Sequence, residues 1–382
     1  MPRSYPTVRA ALLVICLCLP SVVTAQQIQA QAPVLQPPAD TPAVEPMTFE
    51  VGTRTGDPFA SLPEGTVRIS SFGERPVYSA DGRKIAFLGK SYGDVFEYDV
   101  ATGRTRNLTA NFPHVGFLRA HYLPDGNMIL LGPAENNGDR VRTRLTGIKL
   151  WFFDKSAAKA PVQLGPTVFE GIAVSRRSNL VAWTPAMDHA FVMASDATPG
   201  SSRPVMLGTV VVDAKGPRLE NVREAFRREE ADCTPEAQDF RDNDHELVHA
   251  CYHPIYQIDA LQFATITGIW GARLDRPQLI RYRAPLEGEY SEPEGISPDG
   301  SWELVECGQF DRSGLDICRL TLTPDSRDYR RVTRVLDHGR VKVSNPVVSP
   351  DGHFIAYQSG KAFEEAGVGH SIFLTPLKAS NR

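Results

Sequence analysis

The chain of 382 residues has few cysteines and, beyond its first 25 residues, no apolar run long enough to span a membrane. It contains six cysteines and no Cys-x-x-Cys pair, a spacing typical of many zinc sites. A phosphate loop and a dinucleotide fingerprint are also absent, so the sequence does not indicate a nucleotide-binding class.

The N-terminal stretch is typical of a secretory signal peptide. Arg3 and Arg9 make a positive region, 10–19 is an apolar core, and Val23-Thr24-Ala25 is a small-residue cleavage site. We expect cleavage after Ala25, which would remove Cys16 and Cys18 and place the protein in the periplasm or outside the cell. Ten apolar residues are too few for a permanent membrane span.

The next segment, 26–64, is rich in Pro, Gln and Ala and has no hydrophobic period. It predicts a disordered or extended spacer, with contacts to the folded part from Met47 onward. The chain has 41 basic and 45 acidic residues, and loss of the two N-terminal arginines leaves an acidic excess of six. That balance does not favour nucleic acid or an anionic membrane as a partner.

One turn motif recurs along the rest of the chain. It is found in RPVYSADGRKIAF from Arg75, RAHYLPDGNMILL from Arg119, PEGISPDGSWELV from Pro293 and NPVVSPDGHFIAY from Asn345. A degenerate copy, GIAVSRRSNLVAW, begins at Gly171. Asp and Gly favour a tight turn between two apolar strands, and repetition at roughly 40–50 residues is typical of a β-propeller.

We therefore predict an all-β fold over residues 65–378, a single six-bladed β-propeller of four-stranded antiparallel blades, with seven blades as the alternative count. The blades are expected at about 66–109, 110–165, 166–215, 245–288, 289–335 and 336–378. The strand Thr66–Ser70 is expected to pair with the last blade and close the ring. An insertion at about 216–244 is expected to lie outside the ring, with one short helix at Leu219–Glu230 and loop at 239–244.

The repeat resembles that of the TolB-like propeller family, a PDG-type relative of WD repeats. The match runs through Pro76, Tyr78, Ser79, Asp81-Gly82 and Ile85-Ala86-Phe87 in the first copy, and through Pro346, Ser349-Pro350-Asp351-Gly352 and Ile355-Ala356-Tyr357 in the last. The resemblance covers about 65–377. It implies a propeller fold and leaves function open, because this repeat serves binding scaffolds and enzymes alike.

Four cysteines remain after signal cleavage. An even number in an exported chain favours disulfides. Cys307 and Cys318 flank a hairpin turn, and Cys233 and Cys251 would then join the insertion to the fourth blade. Free thiols or a metal site are the alternatives.

Residues just before the repeated turns are expected to line the central funnel. Arg75, Arg119, His121, Glu294 and Asn345 are therefore expected to converge on one pocket suited to an acidic sugar or a peptide carboxylate. The alternative is that these side chains satisfy one another.

The histidines of DHELVHACYHP are weak metal candidates. Along a strand, His249 and His253 would share a face about 13 Å apart, too far to hold one ion. His353, Gln358 and His370 lie in a region that resembles the oligogalacturonate lyase branch of TolB-type propellers, which hold a divalent metal through histidines and a glutamine. That resemblance implies Mn or Ca, but a full set of three histidines does not align.

The sequence thus predicts an exported, monomeric binding scaffold that recognises a protein or glycan on its funnel face without a required cofactor. The alternative is a polysaccharide lyase or hydrolase that acts on an acidic sugar with a divalent metal in the funnel.

Overall fold

The computed structural model describes residues 32–40, 44–136, 138–186, 197–257, 263–311, 313–365 and 367–377. The predicted signal peptide, including Cys16 and Cys18, lies outside these residues, as does position 378. The described part is all-β, and none of its helices is long and apolar enough to cross a bilayer.

The first sheet has four strands and is built around the first turn motif, as predicted. Ser79 Oγ donates to Asp81 Oδ1 at 2.6 Å, and Gly82 adopts a φ of 70°, which explains the Asp-Gly pair in this turn. The four strands pair antiparallel in chain order. They are β2 (Glu74–Tyr78), β3 (Lys84–Leu88), β4 (Val95–Asp99) and β5 (Thr105–Asn107).

A seven-stranded sheet follows, in which one long strand joins two smaller groups. The strands are β6 (Arg119–Tyr122), β7 (Met128–Pro133), β8 (Ile148–Phe153), β9 (Val162–Val174), β10 (Leu180–Pro185), β11 (Ser202–Asp213) and β12 (Gly216–Glu229). The N-terminal part of β9 pairs with β8 and its C-terminal part with β10. A short α-helix, Arg140–Arg142, and a π-helical turn, Thr143–Gly147, lie between β7 and β8.

A second four-stranded sheet contains β13 (Thr234–Arg241), β14 (Glu246–Gln257), β15 (Phe263–Arg273) and β16 (Leu279–Arg283). The last sheet has eight strands: β1 (Val67–Ser70), β17 (Glu289–Ile296), β18 (Trp302–Gln309), β19 (Leu315–Thr321), β20 (Tyr329–Arg331), β21 (Val341–Val348), β22 (Phe354–Lys361) and β23 (Ser371–Pro376). Two short 3₁₀ helices are Pro58–Ser61 and Val335–His338. The predicted pairing of the strand at Thr66–Ser70 with the last element is confirmed, because β1 pairs with β23.

Six strands, which are not consecutive in the chain, contact one another in a cycle that follows their order in the sequence. β2 contacts β6, β6 contacts β9, β9 contacts β13, β13 contacts β17, β17 contacts β21, and β21 contacts β2. We call these the inner strands and the space they enclose the channel. Each of the four hydrogen-bonded sheets is open.

The apolar core lies between neighbouring sheets and explains the continuous apolar runs. β7 is buried along its whole length. Met128 and Leu130 belong to the core shared with β3 and β4, whereas Ile129 and Leu131 belong to the core shared with β9 and β10. A strand covered on both faces loses the apolar–polar alternation of a half-exposed strand.

The predicted helix at Leu219–Glu230 is wrong, because this segment is strand β12. β11 and β12 form a long hairpin whose turn has Gly216 at a φ of 93° and Asp213 Oδ1 accepting the Lys215 N–H at 2.8 Å. Pairing with β11 and burial of Phe226 outweigh the helix propensity of the Glu and Arg residues. Residues 239–241, predicted as loop, end strand β13.

The spacer segment contacts the sheets from residue 33 onward. Leu35 is buried, its N–H donates to Arg227 O at 2.8 Å, and Phe49 packs in the core of the β16–β19 region. Contacts therefore begin before Met47, where the sequence placed them, and the described part of the segment includes the 3₁₀ helix Pro58–Ser61.

Both predicted disulfides are confirmed. Cys233–Cys251 joins the start of the β13 region to β14, with a Cα–Cα distance of 5.4 Å. Cys307–Cys318 joins β18 to β19 across 5.8 Å.

Candidate functional site

Five of the six inner strands contain a bulge or irregular step in their pairing. Irregular register occurs in β2 after Glu74, in β9 before Ile172, in β13 after Ala237, in β17 after Pro293 and in β21 after Ser344. A bulge re-aims a side chain and breaks the ladder locally.

Two of these bulges carry the same unusual backbone. Arg75 and Asn345 have φ values of 52° and 47°, and each is followed by a proline, Pro76 or Pro346. Asn tolerates the left-handed region, whereas Arg pays a conformational cost on the order of 1–2 kcal/mol there. Residues with such backbone conformations cluster at functional sites, so these two bulges indicate a candidate site.

One end of the channel is closed by arginine–glutamate pairs. Glu170, on β9, accepts hydrogen bonds from Arg75 at 3.0 Å and from Arg144 at 2.6 Å. Arg144 also reaches Glu365, in the β22–β23 loop, at 3.0 Å. Gly367, in that loop, has a φ of 79° and lies against the Arg75 guanidinium, to which a Cβ at this position would lie 2.0 Å away. We call this the closed end.

The charge of Glu170 is well compensated. Burial works against its ionisation, but Arg144 and Arg75 outweigh that effect and lower the pKa of Glu170 to about 2. Burial lowers the pKa of Arg75, and the neighbouring Arg119 lowers it further. The closed end is thus an ion-pair network in which Arg75 and Arg144 share Glu170.

The middle of the channel holds three carboxyl groups, here called the acidic cluster: Glu292 and Glu294 on β17 and Glu306 on β18. One carboxylate oxygen from each of the three residues lies within 4.8 Å of one from each of the other two. The Asn345 N–H donates to Glu306 Oε1 at 2.7 Å, and Asn345 Nδ2 donates to Glu294 Oε1 at 3.1 Å.

Glu292 is held by three donors. The hydroxyls of Tyr252 and Tyr290 each donate to one of its oxygens, and Gln238 Nε2 donates to Oε1 at 3.1 Å. These contacts fix the orientation of the carboxylate.

Carboxyl groups around the acidic cluster have raised pKa values. Burial, followed by the charge of Glu292, raises the pKa of Glu306 to about 7. Burial also raises the pKa of Glu294, as do Glu306 and Glu292. Burial, then Glu292 and Glu170, raises the pKa of Glu236, on β13, to about 8. A Cβ on Gly171 would lie 2.1 Å from Glu236 Cγ, so glycine at 171 makes room for this carboxyl.

The opposite end of the channel opens between the repeated turns and is here called the mouth. It is a cavity of about 440 Å³ lined by residues from all six inner strands or the turns that follow them. Representative lining residues are Tyr78, His121, Arg177, Gln238, Glu294 and Val347. The ring of His121 makes no hydrogen bond with any of the residues described. Burial, then Arg119 and Arg75, lowers its pKa to about 3, so it is a neutral imidazole at neutral pH.

The structure brings part of the predicted funnel set together. Asn345 contacts Glu294 directly, and the charge of Arg119 acts on Glu294 and His121. Arg75 faces the closed end. Sequence reasoning missed Glu170, Glu236, Glu292, Glu306 and Arg144. The alternation in Glu292-Pro293-Glu294 places two glutamates on one face of a strand and could have indicated the cluster. Glu306 and Glu236 come near these residues only because β18 pairs with β17 and β13 contacts β17.

The weak metal candidates have separate partners. The His249 ring contacts Arg228, the His353 ring lies 3.4 Å from Asp351, and the His370 ring lies 2.8 Å from Glu364. The Gln358 amide accepts from Arg75 N and donates to Gly367 O. His253 lies beside Cys233 and Cys251, whose sulfurs form a disulfide. The described residues therefore do not provide a histidine–glutamine metal site.

A Gly-x-Ser-x-Gly pentapeptide at 89–93, overlooked in the sequence, does not form a nucleophile elbow. It connects two antiparallel strands, β3 and β4, whereas an elbow joins a strand to a helix. Ser91 Oγ donates to Glu74 Oε1 at 2.6 Å. Ser91 therefore has a structural partner.

No protein-family model and no curated protein sequence matches the chain. Among solved structures, it is similar to a putative TolB from Agrobacterium tumefaciens (14% identity, 71% of this chain and 79% of that chain, TM-score 0.45). It is also similar to an oligogalacturonate lyase in complex with manganese (14% identity, 88% of this chain and 97% of that chain, TM-score 0.48). A third similar structure is a gluconolactonase from Xanthomonas campestris (10% identity, 90% of this chain and 100% of that chain, TM-score 0.47). At these values the likeness carries no argument about activity, substrate or partner.

Proposed function

We propose that the chain is an exported, six-bladed TolB-like β-propeller that serves as a binding scaffold, with its ligand in the mouth of the channel. The cyclic contacts of the six inner strands and the repeated Asp-Gly turns support this architecture. In this proposal β1 is the outer strand of the sixth blade. A signal peptide at 1–25, a spacer at 26–64 and a propeller at 65–378 complete the organisation, with a periplasmic or secreted location.

The observation that carries the binding proposal is the contrast between the two ends of the channel. At the closed end, Glu170 lies between two arginines and the loop around Gly367 covers Arg75. The mouth has room for a ligand and contains His121, whose ring nitrogens are free to bond to one. Cavities with a few polar groups in apolar walls are the usual binding sites of folded proteins.

The mouth favours a neutral or mixed-charge ligand over a strongly charged one. Arg176 is paired with Asp239, and Asp244 accepts hydrogen bonds from Ser175 and Ser178, so the mouth contains both charge signs. A protein loop or a glycan end with several hydroxyl or amide groups fits this lining. We therefore propose a protein or glycan ligand and a monomeric scaffold, without a role for nucleic acid.

Binding of oligosaccharides and envelope proteins to the purified mature protein tests the proposal. His121→Ala and Arg177→Glu should each weaken binding, because both side chains line the mouth. Arg223→Glu, an equal charge change on the exposed face of β12, should leave binding unchanged. Equal loss in Arg177→Glu and Arg223→Glu would contradict a site in the mouth.

Carbohydrate lyase or hydrolase activity is the second candidate, favoured by one specific observation. Glu236 and Glu306 have pKa values of about 8 and about 7, which suit general acid–base catalysis near neutral pH. Arg119 lies 3.7 Å from Glu236 and carries the charge that an acidic sugar would require. Incubation with acidic oligosaccharides, followed by ultraviolet detection of unsaturated ends and a reducing-sugar assay, tests this candidate. Glu236→Gln should abolish any product found.

A further inference from the structure

Arg319, on β19, is a buried arginine whose positive charge is only partly compensated. It is 8% exposed, and its Nε is buried without a hydrogen-bond acceptor among the described residues. Its guanidinium carbon lies 4.8 Å from the centre of the Trp302 ring. Its ion-pair partner, Asp328, is 3.6 Å away, which is longer than a hydrogen bond. Burial of a charge costs free energy unless the charge is paired and hydrogen-bonded, so a further anionic partner would stabilise Arg319.

A second arginine lies beside the first. Arg330, on the edge strand β20, is directly opposite Arg319 in the antiparallel pairing of β19 with β20. Like charges at directly opposite positions destabilise a sheet. Asp328 is also the ion-pair partner of Arg330, at 3.9 Å, so two guanidinium groups share one carboxylate. Burial, then the charge of Arg330, lowers the pKa of Arg319, although Asp328 and Asp299 oppose the shift.

The other face of β20 has the opposite balance of charge. Successive side chains of a strand point to opposite faces of the sheet, so Arg331 points away from Arg330. Arg331 pairs with two buried carboxylates, those of Asp316 and Asp337. Arg319 and Arg330, by contrast, have one carboxylate between them. Their face of the sheet therefore carries an excess of positive charge.

The arginine pair is open to solvent and separate from the mouth. Arg330 and Asp328 are exposed, so a small solute can reach the guanidinium groups. Arg327 and Arg334, exposed residues on either side of β20 in the chain, add positive charge to this edge of the sheet and attract anions to it. The described residues that line the mouth include neither Arg319 nor Arg330.

We propose that Arg319 and Arg330 form a binding site for a compact oxyanion, a phosphate or carboxylate group, at the β20 edge of the last sheet. The planar guanidinium group presents several N–H donors in a fork that matches the oxygens of both groups. The bound oxyanion accepts hydrogen bonds from both arginines and supplies the missing negative charge, while Trp302 supports the Arg319 guanidinium. This site goes beyond the proposed scaffold function and does not depend on a ligand in the mouth.

Calorimetric titration of the purified mature protein with sodium phosphate and, separately, sodium acetate tests the site, at pH 7.5 and an ionic strength held constant with NaCl. We expect one anion per chain. Binding of phosphate alone would identify a phosphate group as the ligand, and similar binding of both anions would show that a carboxylate is sufficient. Arg330→Met should weaken binding by about tenfold or more, because hydrogen bonds to charged groups are among the strong ones. Arg104→Met, the same charge change at an exposed position in the β4–β5 turn, is the matched control and should leave binding unchanged.

Two further variants give readouts that misfolding would not produce. Asp328→Asn should strengthen anion binding, because it removes the carboxylate that competes for both arginines. Arg319→Met should abolish binding and yet melt at no lower temperature than the wild type in phosphate-free buffer, since it replaces an incompletely paired buried charge with an apolar side chain.

His121→Ala should leave anion binding unchanged, so failure of this site and failure of the mouth are distinguishable. The proposal is overturned if the folded wild-type protein binds neither anion, or if Arg104→Met weakens binding as much as Arg330→Met. Weaker binding in Asp328→Asn, or a large fall in the melting temperature of anion-free Arg319→Met, would also contradict it.

Discussion

At the scale of single residues, the channel is dominated by buried charged side chains whose partners come from other strands. Glu170 has two arginines, Glu292 has two tyrosines and a glutamine, and Glu303 has no hydrogen-bond partner among the described residues. These environments predict different effects of substitution.

Glu303 should make stability depend on pH. Burial, then the charge of Asp239, raises its pKa well above the usual value, while Arg241 opposes the shift and Glu246 adds to it. A carboxyl with a raised folded-state pKa stabilises fully below its unfolded pKa of about 4.3, and this contribution is lost as pH rises toward the folded-state pKa. Melting temperatures from pH 4 to 9 should fall less steeply in Glu303→Gln than in the wild type. Parallel curves would contradict this assignment.

Arg144 should be a strong contributor to stability. It is 3% exposed and pairs with Glu170 and Glu365. Arg144→Met removes one of the two arginines that compensate buried Glu170 and should lower the free energy of unfolding by about 3 kcal/mol, the low end for a broken buried pair, because Arg75 still pairs with Glu170. Arg140→Met removes an exposed pair with the same Glu365 and should cost less than about 1 kcal/mol. Urea denaturation measures both, and similar losses would show that burial of the pair is unimportant.

At the scale of elements, the sequence predicted what depends on local chemistry. The Asp-Gly turns, the strands on either side of them and both disulfides are found where expected, because each depends on neighbouring residues or on adjacent strands. The helix at Leu219–Glu230 failed because its charged residues fit a helix locally, while pairing with β11 is a long-range effect. Glu236 and Glu306 were missed for the same reason.

Disulfide removal should destabilise the protein at the element scale. Cys233–Cys251 spans 18 residues, and a loop near that length contributes about 3 kcal/mol in the chain-entropy account. Replacement of both cysteines by alanine should lower the free energy of unfolding by about that amount, measured by urea denaturation. The same replacement of Cys307 and Cys318, which span 11 residues, should have a slightly smaller effect. No loss in either variant would contradict a structural role.

At the scale of the whole molecule, the N-terminal strand joins the beginning of the described sheets to their end. β1 pairs with β23, and Thr66 Oγ1 lies 2.7 Å from Thr375 Oγ1. A chain that begins at Phe72 should therefore melt at a lower temperature than one that begins at Met47, because β23 loses its outer neighbour and the core loses Phe49. Equal melting temperatures, measured by circular dichroism, would show that this pairing does not support the fold.

The central claim is that a ligand binds in the mouth of the channel, and site-specific crosslinking tests it most directly. A photo-crosslinking residue at position 177, on the mouth, or at position 223, on the face of β12, is introduced into the full-length protein in its own cells. The account predicts a discrete adduct from position 177 that disappears in the His121→Ala background, and no such adduct from position 223. Equal adducts from both positions, or an adduct from 177 that survives His121→Ala, would contradict it.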